Sequence, residues 1–102
     1  MKISIKKTAM EWFKNELGAT EGSSCRFFVR YGGCSTVQSG FSLGVSLEEP
    51  QVVGSSVHEE GILFFIEKED LWYFDGNDLI VDYDDARDEL NFEYEPSQEP
   101  KL

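Results

Sequence analysis

Two stretches in which apolar residues recur at every second position constrain the fold of this chain more than any other feature. The recurring residues are Cys25, Phe27, Val29 and Tyr31 in the first stretch, and Phe41, Leu43, Val45 and Leu47 in the second. Successive side chains of a strand point to opposite faces, so the pattern predicts two strands that each bury one face. The fully apolar run ILFFI after Gly61 predicts a third strand, buried at the centre of a sheet.

The remaining segments predict further short strands and two helices. A helix is expected from Thr8, whose hydroxyl can form a capping box with Glu11, to a left-handed stop at Gly18. Its buried face is expected to carry Met10, Phe13 and Leu17, with Trp12 beside them. The segment EKEDLWYF favours a second, short helix, and the Asp75-Gly76-Asn77 turn then leads into the strand LIVDY.

Short strands are also expected at KISI, at Val52 and Val53, and at NFEYE, which should form a hairpin with LIVDY. Strands predominate, and they do not alternate with helices as in parallel α/β folds. The sequence therefore predicts a mainly β fold with short helices, a compact mixed-β sandwich or distorted barrel, with α+β as the alternative.

The length of 102 residues suits one hydrophobic core and is too short for two ordinary domains. We expect one domain over residues 1–96. Residues 97–102, SQEPKL, are polar and contain Pro100, so we expect a C-terminal tail that does not fold by itself.

The formal net charge of −11 narrows the classes of partner. Acidic residues repel phosphate backbones and anionic lipid surfaces, so neither nucleic-acid binding nor membrane binding is expected. No stretch approaches the roughly 20 apolar residues that a membrane-spanning helix needs. We expect a cytoplasmic protein.

The two cysteines differ in their surroundings. Cys25 shares the apolar face of the first alternating strand, so the sequence predicts a buried residue that packs as a small hydrophobe. Cys34 follows the far end of that strand, and about six steps of ~3.3 Å separate Cys25 from Tyr31. A disulfide needs Cα atoms within roughly 7 Å, so both thiols are expected to be free, as in a reducing compartment.

Cys34 is the candidate for chemistry, because it follows two glycines in YGGCS. Gly32 and Gly33 can adopt positive φ and expose successive N–H groups, which could stabilise a thiolate at residue 34. The alternative is that Cys34 is a small residue tolerated in a tight loop. Both interpretations remain open from the local sequence.

Other candidate sites have weaker support. The acidic residues between Asp75 and Asp88 do not match the calcium-loop template, since Ala86 and Arg87 occupy positions that need an oxygen ligand and glycine. His58 lacks the spacing of a zinc site and is expected at the surface. No nucleophile elbow or phosphate loop is present, so we do not expect an enzyme. Trp72, Tyr73 and Phe74 are expected to pack in the core and at the surface rather than stack on a ligand.

Taken in order, these features resemble the HesB/IscA family of A-type iron–sulfur carrier domains, and most closely its small YneR-like branch. The resemblance rests on three motifs: GGCS at 32–35, an apolar strand followed by a helix and Asp75-Gly76 at 62–76, and a terminal aromatic strand with Pro96. It implies a HesB-like fold over nearly the whole chain.

In the full-length carriers, the resemblance implies iron or iron–sulfur binding through one cysteine in the glycine turn and a C-x-C pair near the C-terminus. Only the first matches here, at Cys34, and SQEPKL follows Pro96. Since a cluster ordinarily takes four thiolates, iron or a cluster would be bound transiently, with Cys34 presented by Gly32 and Gly33 and with external ligands. The implied partners are iron–sulfur assembly or client proteins, or a second copy in a homodimer.

Two hypotheses for function follow. In the first, the protein is an accessory factor or transient carrier in iron–sulfur cluster biogenesis that uses Cys34. In the second, it is a scaffold or protein-interaction module that retains the HesB fold without binding metal.

Overall fold

Strands make up most of the fold, which confirms the mainly β prediction. A computed structural model describes residues 1–33 and 38–97. In chain order, the elements are β1 (Ile3–Ile5), α1 (Lys7–Asn15), β2 (Ser24–Tyr31), β3 (Phe41–Leu47), β4 (Val53–Glu59), β5 (Ile62–Glu67), a 3-10 helix (Lys68–Phe74), β6 (Asn77–Asp84) and β7 (Glu89–Pro96).

The strands form two sheets, and neither closes into a barrel within the described ranges. A three-stranded sheet has the order β1-β6-β7, and a four-stranded sheet has the order β3-β2-β5-β4. The pairs β1–β6 and β2–β5 are parallel, and the other neighbours are antiparallel. Of the two predicted architectures, the open packing of two sheets is therefore present and the distorted barrel is not.

The core lies between the sheets and under α1. Phe13 of α1 is fully buried, and its ring meets the rings of Phe27 in β2 and Phe64 in β5 at centroid distances of 6.0 and 5.0 Å. Phe27 also contacts Phe92 of β7 at 6.2 Å, which joins the two sheets. The prediction that ILFFI is a buried central strand is confirmed, since β5 lies between β2 and β4 and Ile62 is fully buried.

Helix α1 is present, but the predicted capping box is wrong. The helix begins at Lys7, and the N-cap residue Lys6 makes no side-chain capping bond. The reason lies in β1: Lys6 donates its N–H to the Val81 carbonyl at 2.9 Å, so the chain turns from strand to helix one residue before Thr8. Thr8 instead donates to Asp82 at 3.3 Å. Gly18 has the predicted left-handed backbone, with a φ of 79°, but the helix itself ends three residues earlier, at Asn15.

Two details of the predicted strands are also corrected. Tyr31 was expected on the buried face of β2, but it is 89% exposed because β2 continues past the edge of the core. The brief strand predicted at Val52 and Val53 is a seven-residue strand, β4, which begins at Val53. Its later residues, SSVHE, are mostly polar, because β4 lies at a sheet edge with one side toward water.

Residues 48–52 form a crossing segment that runs over the sheet from β3 at one edge to β4 at the other. Glu67, at the end of β5, fixes this segment: its carboxylate accepts hydrogen bonds from the backbone N–H groups of Gln51 and Val52, each at 2.7 Å. The Glu67 side chain is almost fully buried, and Phe65 on the same face of β5 is fully buried. The crossing segment is therefore bonded to the second face of the central strand, at the end of β5.

We predict that Glu67→Ala lowers the free energy of unfolding by about 1–3 kcal/mol, because two partly buried N–H groups lose a charged acceptor. Chemical denaturation measures this change. The matched control is Glu69→Ala, whose side chain is 76% exposed and whose loss should cost less than about 1 kcal/mol. Equal effects of the two substitutions would contradict the role assigned to Glu67.

Candidate functional site

The glycine turn joins β2 to β3, and Gly32 and Gly33 adopt the left-handed backbone that the sequence predicts, as does Gly40. Gly32, Gly33 and Gly40 have φ values of 97°, 76° and 83°. Gly32 donates its N–H to the Gly40 carbonyl at 2.9 Å, which closes the base of the turn. A Cβ at Gly33 would lie 3.1 Å from the Ser42 side chain, so glycine is also favoured there by space. Cys34 lies outside the described residues, and its role stays a prediction.

An aromatic surface, made of Tyr31, Phe41 and Trp72, lies beside the base of the turn. The Phe41 ring is 5.2 Å from the ring of Tyr31 and 5.2 Å from that of Trp72, measured between centroids. Tyr31 is 89% exposed and Trp72 is 50% exposed. Large aromatic side chains at this exposure are typical of protein contact sites rather than of a folded core.

The aromatic surface rests on a rigid buried base. Trp72 packs edge-on against Tyr73, which is fully buried, and Phe74 follows it into the core. The hydroxyl groups of Tyr73 and Tyr94 are 3.0 Å apart, and burial, followed by the bond to Tyr73, raises the pKa of Tyr94. The Tyr94 hydroxyl therefore stays neutral at physiological pH. The prediction of core packing and surface cover for the 72–74 aromatics is confirmed.

The sequence did not predict that Trp72 would meet Phe41, the residue of β3 that follows the glycine turn. Tyr31 and Gly32 are neighbours in the chain, but Trp72 is some forty residues away and reaches Phe41 only through the packing of the 3-10 helix. Just past β7, Ser97 donates its N–H to the carbonyl of Gly76, two residues after the end of the 3-10 helix, at 3.1 Å.

Cys25 is confirmed as a buried, free residue that packs with the core. Burial raises the pKa of its thiol to about 11. A thiol of this kind stays protonated at neutral pH and is a poor metal ligand, because metals bind the thiolate. Of the two cysteines in the sequence, only Cys34 is left as a thiolate donor. One thiolate does not fit the four that an iron–sulfur cluster ordinarily takes.

Two acidic residues of β6 accept hydrogen bonds from backbone N–H groups. Asp84 accepts N–H bonds from Ala86 at 3.0 Å and Arg87 at 3.3 Å, and Asp78 accepts the N–H of Lys2 at 2.8 Å. Within residues 1–33 and 38–97, no group of three or more His, Cys, Asp or Glu side chains is placed to hold a metal ion. His58, as predicted, is exposed, on β4.

A groove of about 670 Å³ lies between the crossing segment and the 3-10 helix. Arg26 lines it, but this guanidinium is already bonded to Asp70 at 3.1 Å and to Glu48 and Glu69 at 3.3 Å each. The chain's own carboxylates thus neutralise the charge that an anionic ligand would need. We assign the groove a structural role.

No helix of the described residues is long and apolar enough to span a membrane.

Comparison with known proteins identifies relatives over almost the whole chain. A sequence profile of the family described as "Iron-sulphur cluster biosynthesis" matches residues 1–98. A Bacillus subtilis protein named "Pyruvate dehydrogenase inhibitor" is 53% identical over 95 residues, which cover 93% of this chain and all of the relative. Uncharacterized proteins of Staphylococcus saprophyticus and Staphylococcus haemolyticus are 38% and 36% identical, over 90% of this chain and 97% and 96% of their own lengths.

The raised pKa of Cys25 predicts a loss of stability at high pH. Below pH 9.0, its ordinary value, the thiol is protonated in both states. Between that pH and about 11 the unfolded chain loses the proton and the folded chain keeps it, so the free energy of unfolding falls by up to ~1.4 kcal/mol per pH unit. Denaturation of wild type and Cys25→Ala at several pH values isolates this effect. Parallel pH profiles would contradict the burial of the thiol.

Proposed function

Because the chain belongs to the iron–sulphur cluster biosynthesis family, we propose that it uses the family fold as a protein-binding inhibitor. The partner that we propose is pyruvate dehydrogenase, bound through the aromatic surface beside the glycine turn. The exposure of Tyr31 and Trp72 next to that turn is the observation that carries the proposal.

The aromatic surface has the properties of a binding hot spot. Tyr and Trp are enriched among residues that dominate binding energy, because they bury a large area and lose little side-chain entropy. Trp72 is fixed by Phe41 and Tyr73, so little further order is lost when a partner covers it. A rigid, exposed pair of aromatics on a small acidic domain suits binding better than catalysis, and we assign no reaction to this chain.

The choice of partner follows from the relatives. The Bacillus subtilis protein is named for inhibition of pyruvate dehydrogenase, and the alignment covers its full length at 53% identity. At that level of identity, surfaces as well as the core can be shared. Pyruvate dehydrogenase as the partner also agrees with the cytoplasmic location that the sequence predicts.

Transient transport of iron or of a cluster through Cys34 is the second candidate function. The family assignment and the positive φ of Gly32 and Gly33, directly before Cys34, favour it. Since Cys34 supplies one thiolate, the cargo would be shared with thiols of an assembly or client protein or of glutathione. Transport requires the Cys34 thiol and inhibition by contact does not, so experiments can separate the two functions.

For the inhibitor function, we expect the chain to lower the rate of pyruvate-dependent NADH formation by Bacillus subtilis pyruvate dehydrogenase in a saturable manner. Tyr31→Ala and Trp72→Ala should each raise the inhibition constant at least about thirtyfold, because hot-spot aromatics contribute ~2 kcal/mol or more.

Two controls accompany this assay. His58→Ala changes an exposed residue of β4, outside the aromatic surface, and should inhibit like wild type. Cys34→Ser should also inhibit like wild type if contact alone is responsible. Wild-type inhibition by both aromatic variants would refute the proposed surface, and no inhibition by wild type would refute the proposed partner.

For the carrier function, anaerobic incubation with ferric iron, sulfide and glutathione is the test. We expect visible charge-transfer absorption and bound iron in wild type, and loss of both in Cys34→Ser. Cys25→Ala is the matched cysteine control and should keep the absorption, because the buried thiol does not take part. Equal iron content in wild type and Cys34→Ser would rule out transport by this thiol.

A further inference from the structure

The outer edge of β3 is unpaired in the part of the chain that the structure describes, where β2 is its only neighbour. Two backbone bonds flank the β2–β3 ladder, from Gly32 to Gly40 and from Glu48 to Ser24. Antiparallel ladders alternate, so the even-numbered residues of β3 bond to β2. The backbone N–H and C=O groups of Leu43, Val45 and Leu47 therefore point to the free edge.

This edge lacks the features that usually prevent strand pairing. The sequence of β3, FSLGVSL, has no charged residue and no proline, in a chain with a formal charge of −11. The edge strand β7 of the other sheet differs, since Glu89, Glu93 and Glu95 are exposed along it. Charges and prolines are the common means of protecting an edge, and a long uncharged edge is a template for another strand.

The order of residues in β3 favours a second copy of the same strand as the occupant. Read from Gly44 in either direction, the strand has an aliphatic residue, a serine and then a large apolar residue. An antiparallel pair centred on Gly44 places Leu43 opposite Val45 of the second copy. Both residues point their backbone groups to the free edge, so this register satisfies the hydrogen bonds of both chains.

Charges beside the strand are complementary in the same register. Ser42 faces Ser46 of the second copy. Arg30 donates to the Ser42 hydroxyl at 3.1 Å, and the Ser46 hydroxyl donates to Glu48. Each facing pair of serines would thus bring Arg30 of one chain toward Glu48 of the other. Two-fold symmetry repeats this opposite-charge pair at both ends.

The centre of the pair is apolar. The ring of Phe28 lies on Gly44, where a Cβ would be only 2.5 Å from it. With Gly44 facing Gly44, the two Phe28 rings would meet across the symmetry axis and exclude water from it.

We infer that the chain forms a two-fold symmetric dimer through antiparallel pairing of β3 with β3 of a second copy, centred on Gly44. The inference does not rest on the proposed function. Residues 40 of the two chains would be about 26 Å apart along the strands, at eight steps of ~3.3 Å. The dimer therefore keeps the two glycine turns apart.

Disulfide trapping tests the register. In a Cys34→Ser background, Ser42→Cys and Ser46→Cys together should give a covalent dimer under mild oxidation, because facing residues have Cα atoms ~4.5 Å apart. Each single substitution should give none, since identical positions would be ~13 Å apart. A mixture of the two single variants should again give the covalent dimer, and it tests the inference even if the double variant does not fold.

Sedimentation velocity tests the dimer without cysteines. Wild type should sediment at twice the 11.6 kDa chain mass at high concentration. Ser46→Arg, which places a cation toward Arg30 of the second copy, should raise the dimer dissociation constant at least tenfold. Ser56→Arg, on exposed β4, should leave it unchanged. The inference would be overturned if wild type stayed monomeric up to ~1 mM. It would also be overturned if each single cysteine variant formed as much covalent dimer as the mixture.

Discussion

The need to cover both faces of β5 determines much of this structure. The strand is apolar on both sides, and such strands are stable only when an element packs on each face. On one face, Phe64 meets Phe13 of α1. On the other face, the Glu67 carboxylate binds the crossing segment, and Phe65 is fully buried. One buried acid thus allows a polar segment to serve as the cover.

The same arrangement builds the candidate site. Because the 3-10 helix follows β5 directly, the position of Glu67 also sets where Trp72 lies. Trp72 then reaches Phe41 at the end of β3, which places it beside the glycine turn. The aromatic surface is therefore a consequence of how the central strand is covered, and it is formed on rigid elements rather than on the turn itself.

The sequence predicted the strands that have a periodic apolar pattern. Its predictions were wrong where contacts between residues distant in the chain determine the structure. Alternation located β2 and β3, and the run ILFFI located the central strand, because burial acts on each residue directly. The capping box at Thr8 failed because pairing of β1 with β6 placed the start of the helix one residue earlier. Tyr31 continues the alternation but lies past the core. Neither the crossing segment nor the contact of Trp72 with Phe41 has a local signal.

The thiols distinguish this chain from a carrier that binds a cluster by itself. Cys25 is committed to the core, where burial raises its pKa to about 11, so releasing it as a ligand would require opening β2. Gly32 and Gly33 adopt the positive φ predicted before Cys34, while the aromatic surface beside them, as we propose, needs no metal to bind a partner. With one cysteine outside the core, we propose that the fold serves recognition, and that any iron–sulfur cluster it carried would depend on ligands from another molecule.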